Sequence, residues 1–160
     1  MKQINGDIFK GDWNGMVHCT NLYHTMGGGI ARIIKERFPE AYEADCKTPR
    51  SDARKLGTFS CAEITRDEKV FTIFNLYGQM GIGSNGKPMN RNAQYDAIHD
   101  GVWRICEFIL ALYQNEKYVL AFPYKMASDL AGGDFKIVSA ILESVESYFP
   151  EIEFNIYKLK

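Results

Sequence analysis

The sequence alternates between short apolar runs and longer helical patterns, and the junction after the second apolar run is rich in glycine. The run 15–20, Gly-Met-Val-His-Cys-Thr, is almost wholly apolar, as a strand buried on both faces is. Glycines 27–29 follow it, and Ile30, Ile34 and Phe38 then recur at i, i+4 and i+8, which predicts an amphipathic helix. A buried strand that leads through glycines into a helix N-terminus favours a site for a phosphate or a ribose. The alternative is a flexible connection.

The rest of the chain continues the alternation of strands and helices. Further strands are predicted at 3–9, 59–64, 70–77, 118–123 and 154–159, and further helices at about 98–112 and 134–149. Pro39 is expected to end the first helix. This order favours an α/β fold, a three-layer α/β/α sandwich with a mixed, largely parallel central sheet. Ligands of such sheets bind beyond the carboxyl ends of the strands.

Length and charge limit the class of protein. The chain has 160 residues, 46% of them hydrophobic, which fits a single globular domain over 1–160. Its formal net charge of −1 argues against non-specific nucleic-acid binding. The first seven residues lack the apolar core of a signal peptide, and the apolar stretch 105–113 is too short for a membrane span. We therefore expect a cytoplasmic monomer without membrane or nucleic-acid partners.

The cysteine pattern predicts neither a disulfide framework nor a metal site. The cysteines are widely spaced, and no CxxC or HxxxH spacing occurs among the cysteines and histidines. Their positions are Cys19, Cys46, Cys61 and Cys106. We therefore expect a reducing compartment, no metal and no cofactor.

A second glycine-containing junction lies between the predicted strand at 118–123 and the last helix. Gly132 and Gly133 precede the helix, and either Ser128 or Asp134 could cap its N-terminus. Two such loops after two parallel strands would form a cleft with N–H groups on both sides, which suits a diphosphate. A third stretch, 81–86, matches GxGxxG, but no helix follows it directly, so we expect a mobile loop that borders the site rather than a dinucleotide fingerprint.

These motifs, taken in order, resemble the macrodomain family, the ADP-ribose-binding α/β/α proteins, and most closely its short single-domain branch. The resemblance extends over nearly the whole chain. It is carried by Gly6-Asp7-Ile8, Asn21, Gly27-Gly28-Gly29-Ile30-Ala31, Leu56-Gly57-Thr58-Phe59, Asn75-Leu76-Tyr77-Gly78-Gln79, Leu130-Ala131-Gly132-Gly133-Asp134-Phe135 and Ile156-Tyr157-Lys158-Leu159.

The resemblance implies a set of ligand-binding residues. Asp7 would accept a hydrogen bond from the adenine amino group beside the Ile8 amide, and Asn21 would hold the distal ribose. Tyr157 and Leu159 would line the adenine pocket. The residues expected to approach the ribose and the diphosphate are Gly27, Gly28, Gly29, Ile30, Pro123, Met126, Ala127, Ser128, Asp129, Leu130, Ala131, Gly132, Gly133 and Phe135.

The branch also implies two catalytic schemes. A glycohydrolase scheme uses a lysine and an aspartate whose positions fall near Gln79 and at Ala131, so neither residue is present. A phosphatase scheme has a histidine three residues before the ribose-binding asparagine, and His18 stands at that spacing from Asn21. The resemblance therefore implies hydrolysis of the terminal phosphate of ADP-ribose-1″-phosphate, with Asp134 as a possible second acid–base group.

Several alternatives remain open at this stage. His18 could be a buried structural histidine, His24 could carry the proton instead, and Asp134 could simply cap its helix. The protein could also be a non-catalytic ADP-ribose reader that recognises free ADP-ribose or an ADP-ribosylated protein. A third alternative is an ADP-ribose ester hydrolase, acting in de-ADP-ribosylation or in deacetylation of O-acetyl-ADP-ribose.

The second loop departs from the branch at 127–129. Ala127-Ser128-Asp129 stands where the branch usually has glycines, often Gly-Cys-Gly. Alanine and serine disfavour a positive φ, and the Asp129 carboxylate would oppose an anionic ligand if it pointed inward. We expect the site to survive, with Asp129 pointing outward or binding local backbone amides.

Overall fold

The structure is a computed structural model that describes residues 1–81, 92–114 and 116–160. The GxGxxG stretch lies almost wholly outside the described residues. The strands are β1 (Lys2–Asn5), β2 (Gly15–Thr20), β3 (Phe59–Arg66), β4 (Lys69–Tyr77), β5 (Tyr118–Pro123) and β6 (Ile152–Lys158). The helices are α1 (Gly29–Arg37), α2 (Pro39–Cys46), α3 (Tyr95–Leu112) and α4 (Phe135–Tyr148), with short 3₁₀ helices at Ile8–Lys10 and Ala53–Lys55.

The strands form one sheet in the order β1-β6-β5-β2-β4-β3 within the described parts of the chain. Neighbouring strands run parallel except β3 and β4, which form an antiparallel hairpin. Its turn residues Asp67 and Glu68 both have positive φ, as a two-residue hairpin turn with the right twist requires. The predicted mixed, largely parallel sheet is confirmed.

Helices cover both faces of the sheet, and each face has its own core. Ile34 of α1 and Ala41 of α2 pack with Met16 and Ile73 on one face. The apolar sides of α3 and α4 pack on the other face against residues such as Phe154 of β6. The predicted three-layer α/β/α sandwich is therefore confirmed.

One strand prediction is wrong, and one helix was not predicted, each for an identifiable reason. The first strand ends at Asn5, because the Asp7 carboxylate accepts a hydrogen bond from the Phe9 amide and starts a 3₁₀ helix. Pro39 does follow the end of α1, but it also occupies the first turn of α2, which the sequence reading did not anticipate. Proline is well tolerated there, since the first amides of a helix have no intrahelical partner.

The pairing of β2 with β5 fixes the location of the candidate site. Gly15 pairs with Leu120 and Met16 with Ala121 in a parallel ladder at the middle of the sheet. Parallel strands end at the same edge, so the segments that follow Thr20 and Pro123 emerge side by side. Within the described ranges, no helix is both long and apolar enough to cross a bilayer.

The contact between α3 and the sheet gives a test of the packing. Gly101 lies in the middle of α3, and a Cβ atom there would overlap the Leu76 Cδ1 atom. Alanine favours a helix over glycine by about 1 kcal/mol, but overpacking a buried contact costs about 1–3 kcal/mol. We therefore expect Gly101→Ala to lower the free energy of unfolding by about 1–2 kcal/mol in denaturant titrations.

Gly6→Ala is the matched control, because a Cβ atom at Gly6 has no neighbour within 4 Å. Its free energy of unfolding should stay within about 0.5 kcal/mol of the parent. A Gly101→Ala protein as stable as the parent would contradict the close approach of α3 to β4.

Candidate ligand-binding cleft

A cleft of about 550 Å³ lies at the carboxyl edge of β2 and β5. This volume is in the range of small-molecule and cofactor sites. Its lining residues are Cys19, Thr20, Asn21, Thr25, Met26, Gly27, Gly28, Gly29, Ile30, Ala31, Gln79, Pro123, Tyr124, Lys125, Met126, Ala127, Asp129, Leu130 and Ala131.

A larger cavity of about 900 Å³ lies at the opposite, amino-end edge of the sheet, where Lys117 and Glu153 form an ion pair. The described residues that line that cavity include neither a glycine loop nor a helix N-terminus, so the chemistry favours the smaller cleft.

The first wall of the cleft is the segment between β2 and α1. The Asn21 side chain holds this segment in shape, because its Nδ2 donates to Thr25 Oγ1 at 2.7 Å and its Oδ1 accepts from the Tyr23 amide at 2.8 Å. Gly29 begins α1 with a φ of +54°, and no side chain in the described part of the chain caps this helix. The first amides of α1 are therefore available to an anion in the cleft.

The second wall is the loop between β5 and α4, which folds into a compact turn. The Gly133 amide donates to the Ala127 carbonyl at 2.9 Å, and the Asn92 and Ala93 amides both donate to the Ala131 carbonyl at 3.0 Å. A Cβ atom at Gly133 would lie 2.5 Å from the Ala127 oxygen, so only glycine fits there. Ala127 has a φ of +58°, a conformation that costs a non-glycine residue about 1–2 kcal/mol.

Leu130 brings the two walls together. Its side chain is 51% exposed and lines the cleft. A Cβ atom on Gly28 would lie only 2.9 Å from Leu130 Cδ1, so the absence of a side chain at Gly28 allows the loops to approach this closely. The cleft is therefore narrow beside the N-terminus of α1.

The charged side chains that line the cleft, among the residues described, are Lys125 and Asp129. Both residues are exposed. Cys19 also lines the cleft, but burial raises the pKa of its thiol to about 12, so it is neutral at physiological pH. The cleft therefore combines the partial positive charge of the α1 N-terminus with one cation and one carboxylate.

His18 lies outside the lining of the cleft. It is fully buried, and its Nε2 is 2.7 Å from Asn75 Oδ1. The Asn75 Nδ2 group donates to the Ala41 carbonyl and to Ser60 Oγ, so Asn75 Oδ1 is the acceptor and His18 Nε2 carries the hydrogen. His18 Nδ1 is buried and has no hydrogen-bond partner among the described residues. Burial lowers the pKa of His18 to about 4 despite the Asn75 hydrogen bond, so the ring is neutral at physiological pH.

The residues expected to bind adenine lie beside the cleft rather than in its lining. Asp7 Oδ1 accepts from the Phe9 amide at 3.0 Å, and the Ile8 carbonyl accepts from Trp13 Nε1 at 2.7 Å. Tyr157 is buried, and its carbonyl accepts from the amide of Tyr124, which does line the cleft.

Other sequence-predicted residues also lie outside the lining. Leu159 is 71% exposed beyond β6. Asp134 caps α4, where its Oδ1 accepts from the Lys136 amide at 2.8 Å. Ser128 Oγ donates to the Met126 carbonyl instead of capping that helix. Gly132 and Gly133 of the second loop and Phe135 at the start of α4 are also absent from the lining.

Sequence reasoning missed several residues that line the cleft. Thr25, Gln79 and Lys125 come from three different parts of the chain, and only the strand order brings them together. Thr25 had a weak local signal, because it stands four residues after Asn21 in the loop before the glycines. The described ranges hold no group of three or more His, Cys, Asp or Glu residues that could bind a metal ion.

The buried His18 predicts a specific dependence of stability on pH. Its pKa is about 4 in the folded protein and 6.5 as the reference value, so the unfolded chain takes up the proton first as the pH falls. The stabilisation from neutral His18 is therefore complete above pH 6.5 and is lost between pH 6.5 and about 4. The total decrease in the free energy of unfolding is about 3 kcal/mol, of which about 2 kcal/mol has been lost by about pH 5.

We expect His18→Gln to remove the loss of stability that protonation of His18 causes. Between about pH 7.5 and pH 5, the free energy of unfolding of this variant should therefore fall by about 2 kcal/mol less than that of the parent. His99→Gln is the control, because His99 lies partly exposed on α3 and its substitution leaves the buried His18 in place, so the loss attributed to His18 should remain. Parallel profiles for the parent and His18→Gln would show that His18 does not titrate as a buried group.

Comparisons with known proteins agree with this architecture. No protein-family model matches the chain. An uncharacterised 17.5 kDa protein from the tk–vs intergenic region of Enterobacteria phage T4 is 30% identical over 153 residues, which cover 92% of this chain and 90% of that protein. An ADP-ribose 1″-phosphate phosphatase from Aspergillus oryzae is 40% identical over 43 residues, which cover 26% of this chain and 21% of that enzyme.

Solved structures give the fold. The macrodomain of Mycobacterium tuberculosis DarG superposes with a TM-score of 0.77 at 20% identity, covering 98% of this chain and 95% of that one. Thermosipho africanus DarTG, solved in complex with ADP-ribose, superposes with a TM-score of 0.70 at 20% identity, covering 99% of this chain and 41% of that one. The chain therefore belongs to one family with the phage T4 protein, and it has the macrodomain fold.

Proposed function

We propose that the cleft binds ADP-ribose or one of its derivatives. The observation that carries this proposal is the convergence of two backbone-rich loops on one cleft, with the free amides of α1 on one side and Lys125 on the other. A diphosphate in this place would interact favourably with both groups. The macrodomain fold and the ADP-ribose complex of the Thermosipho protein support the same ligand class.

In this arrangement the distal ribose lies next to Asn21, and the diphosphate lies between the α1 N-terminus and Leu130. The adenine then extends towards Tyr124 and the neighbouring Asp7 and Tyr157, beyond the lining of the narrow cleft. The diphosphate position follows from charge, because the partial positive charge of α1 is the strongest fixed anion attraction that the backbone offers here.

The finer proposal is hydrolysis of the terminal phosphate of ADP-ribose-1″-phosphate. It is supported by the short stretch of likeness to the Aspergillus oryzae phosphatase and by the spacing of His18 and Asn21. A neutral His18 has the protonation state that a general base needs. The lone pair that would accept the proton is on Nδ1, which has no partner among the described residues. Asp134 makes a helix cap outside the cleft, which favours a role for it in stability.

The burial of His18 favours a second candidate function. Since its ring contacts Asn75 and does not line the cleft, an ADP-ribose reader, or an ester hydrolase that does not use His18, also fits the geometry. The candidates share the ligand and differ in whether phosphate is released.

Calorimetric titration with ADP-ribose and a phosphate-release assay with ADP-ribose-1″-phosphate test these proposals together. We expect saturable binding and phosphate release, and we expect His18→Gln to lose most of the turnover at saturating substrate, beyond any loss of affinity. His99→Gln should keep both. Binding without release would contradict the phosphatase and leave the reader or the ester hydrolase, and absence of binding would contradict the ligand class.

Asp129 gives a separate prediction about affinity. Asp129 is exposed and is one of the residues that line the cleft, so its carboxylate should repel a bound diphosphate. At a separation of several ångströms in a solvated cleft this repulsion is about 1 kcal/mol, and salt screens it. We expect Asp129→Asn to tighten ADP-ribose binding about threefold to tenfold at low ionic strength, and less at high ionic strength.

Asp67→Asn is the matched control, because Asp67 lies in the distant β3–β4 turn and asparagine accepts its positive φ. Its affinity should equal that of the parent. Weaker binding by Asp129→Asn would mean instead that the carboxylate accepts a hydrogen bond from the ligand.

A further inference from the structure

A continuous network of buried and half-buried polar groups lies between the sheet and α2, behind the first wall of the cleft. The cleft residues are not part of it, and the proposed function does not use most of it. Its members are His18, His24, Asp45, Thr48, Ser60, Asn75 and Tyr77.

The Tyr77 hydroxyl is the centre of this network. It donates to Asp45 Oδ1 at 2.7 Å, and Ser60 Oγ lies 2.8 Å from it. Because the single hydrogen of Tyr77 goes to Asp45, Ser60 is the donor to Tyr77. Burial raises the pKa of Tyr77, so the hydroxyl keeps its hydrogen throughout the physiological pH range.

One branch of the network leads from Tyr77 to the start of the first cleft segment. Ser60 Oγ accepts from Asn75 Nδ2 at 3.0 Å, and Asn75 Oδ1 accepts from His18 Nε2 at 2.7 Å. His18 stands three residues before Asn21, the cleft residue. This branch therefore ends on the strand that carries Asn21 into the cleft.

The other branch leads through Asp45, whose carboxylate accepts from Tyr77 and whose carbonyl accepts from Thr48, to the end of the same segment. Thr48 Oγ1 donates to the Asp45 carbonyl at 2.6 Å, which leaves its lone pairs to accept from His24 Nε2 at 3.2 Å. The His24 carbonyl accepts from the Tyr42 hydroxyl at 3.0 Å. His24 has a φ of +56° and precedes Thr25, which lines the cleft. This branch therefore holds a strained residue in place.

Two buried charges make the network costly to disturb. Asp45 is fully buried and Lys55 is 6% exposed, with the Lys55 ammonium 4.3 Å from the centre of the Tyr77 ring. Loss of the Tyr77 hydroxyl would leave the buried Asp45 Oδ1 without its donor. The network is thus a fixed arrangement that responds as a unit to the loss of one member.

We propose that the Tyr77 hydroxyl is a positioning group for ligand binding, which holds the segment from Asn21 to Thr25 in its binding shape through the two branches. This proposal rests on the proposed function, because it assigns Tyr77 a part in the affinity of the cleft. Tyr77 itself does not line the cleft, and the effect on the ligand passes through His18 and His24.

Tyr77→Phe and Thr48→Val test the proposal on the full chain. We expect each to weaken ADP-ribose binding about fivefold to tenfold, as the loss of one or two hydrogen bonds behind a binding segment does. Each should also shift the His24 imidazole ¹⁵N resonances and speed hydrogen exchange of the Tyr23 amide, which donates to Asn21 Oδ1. Thr48 is only half-buried, so this variant should fold even if Tyr77→Phe does not.

Two control variants separate positioning from a general loss of stability. Tyr118→Phe removes another buried phenol hydroxyl, which lies on β5 outside the network, and should leave affinity and the His24 resonances unchanged. Thr48→Ser keeps the hydroxyl and should restore the affinity that Thr48→Val loses.

The outcomes distinguish the two proposals. If the parent binds ADP-ribose and both variants bind equally well with unchanged His24 resonances, the positioning role is overturned. If the parent does not bind, the proposed function is overturned, and the His24 resonances and the exchange of the Tyr23 amide still decide whether Tyr77 holds the segment.

Discussion

The parallel pairing of β2 with β5 at the middle of the sheet is the constraint on which the candidate site depends. Because these strands are neighbours and run in the same direction, the chain leaves both at one edge, although they are about a hundred residues apart in sequence. One strand continues to the N-terminus of α1 and the other to the loop before α4. A different strand order would place the same two loops on separate parts of the surface.

Two glycines then set how closely the loops approach. Gly28 leaves room for Leu130 from the opposite wall, and Gly133 lets the second loop fold back on the Ala127 carbonyl. Ala127 shows that the loop tolerates a side chain at a positive φ, where related sequences were expected to have glycine. The shape of the loop therefore depends on its hydrogen bonds and close contacts more than on glycine at every turn position.

The fold and the general place of the site could be predicted from the sequence, because buried strands, the glycines at 27–29 and the helical periodicity are local signals. The position of the His18 side chain outside the cleft could not, since a strand buried on both faces does not show which face each side chain takes. α2 was missed because Pro39 indicates both the end of one helix and the start of another. Gln79 and Lys125 line the cleft only through tertiary structure.

The central claim is that ADP-ribose binds between the α1 N-terminus and the second loop. Amide chemical-shift mapping during an ADP-ribose titration tests it most directly, because it reports the position of the ligand as well as its affinity. The account predicts the largest shifts at the amides of Gly28, Gly29 and Ile30 and in the stretch 126–131. Shifts confined to the opposite edge of the sheet, around Lys117 and Glu153, would contradict it.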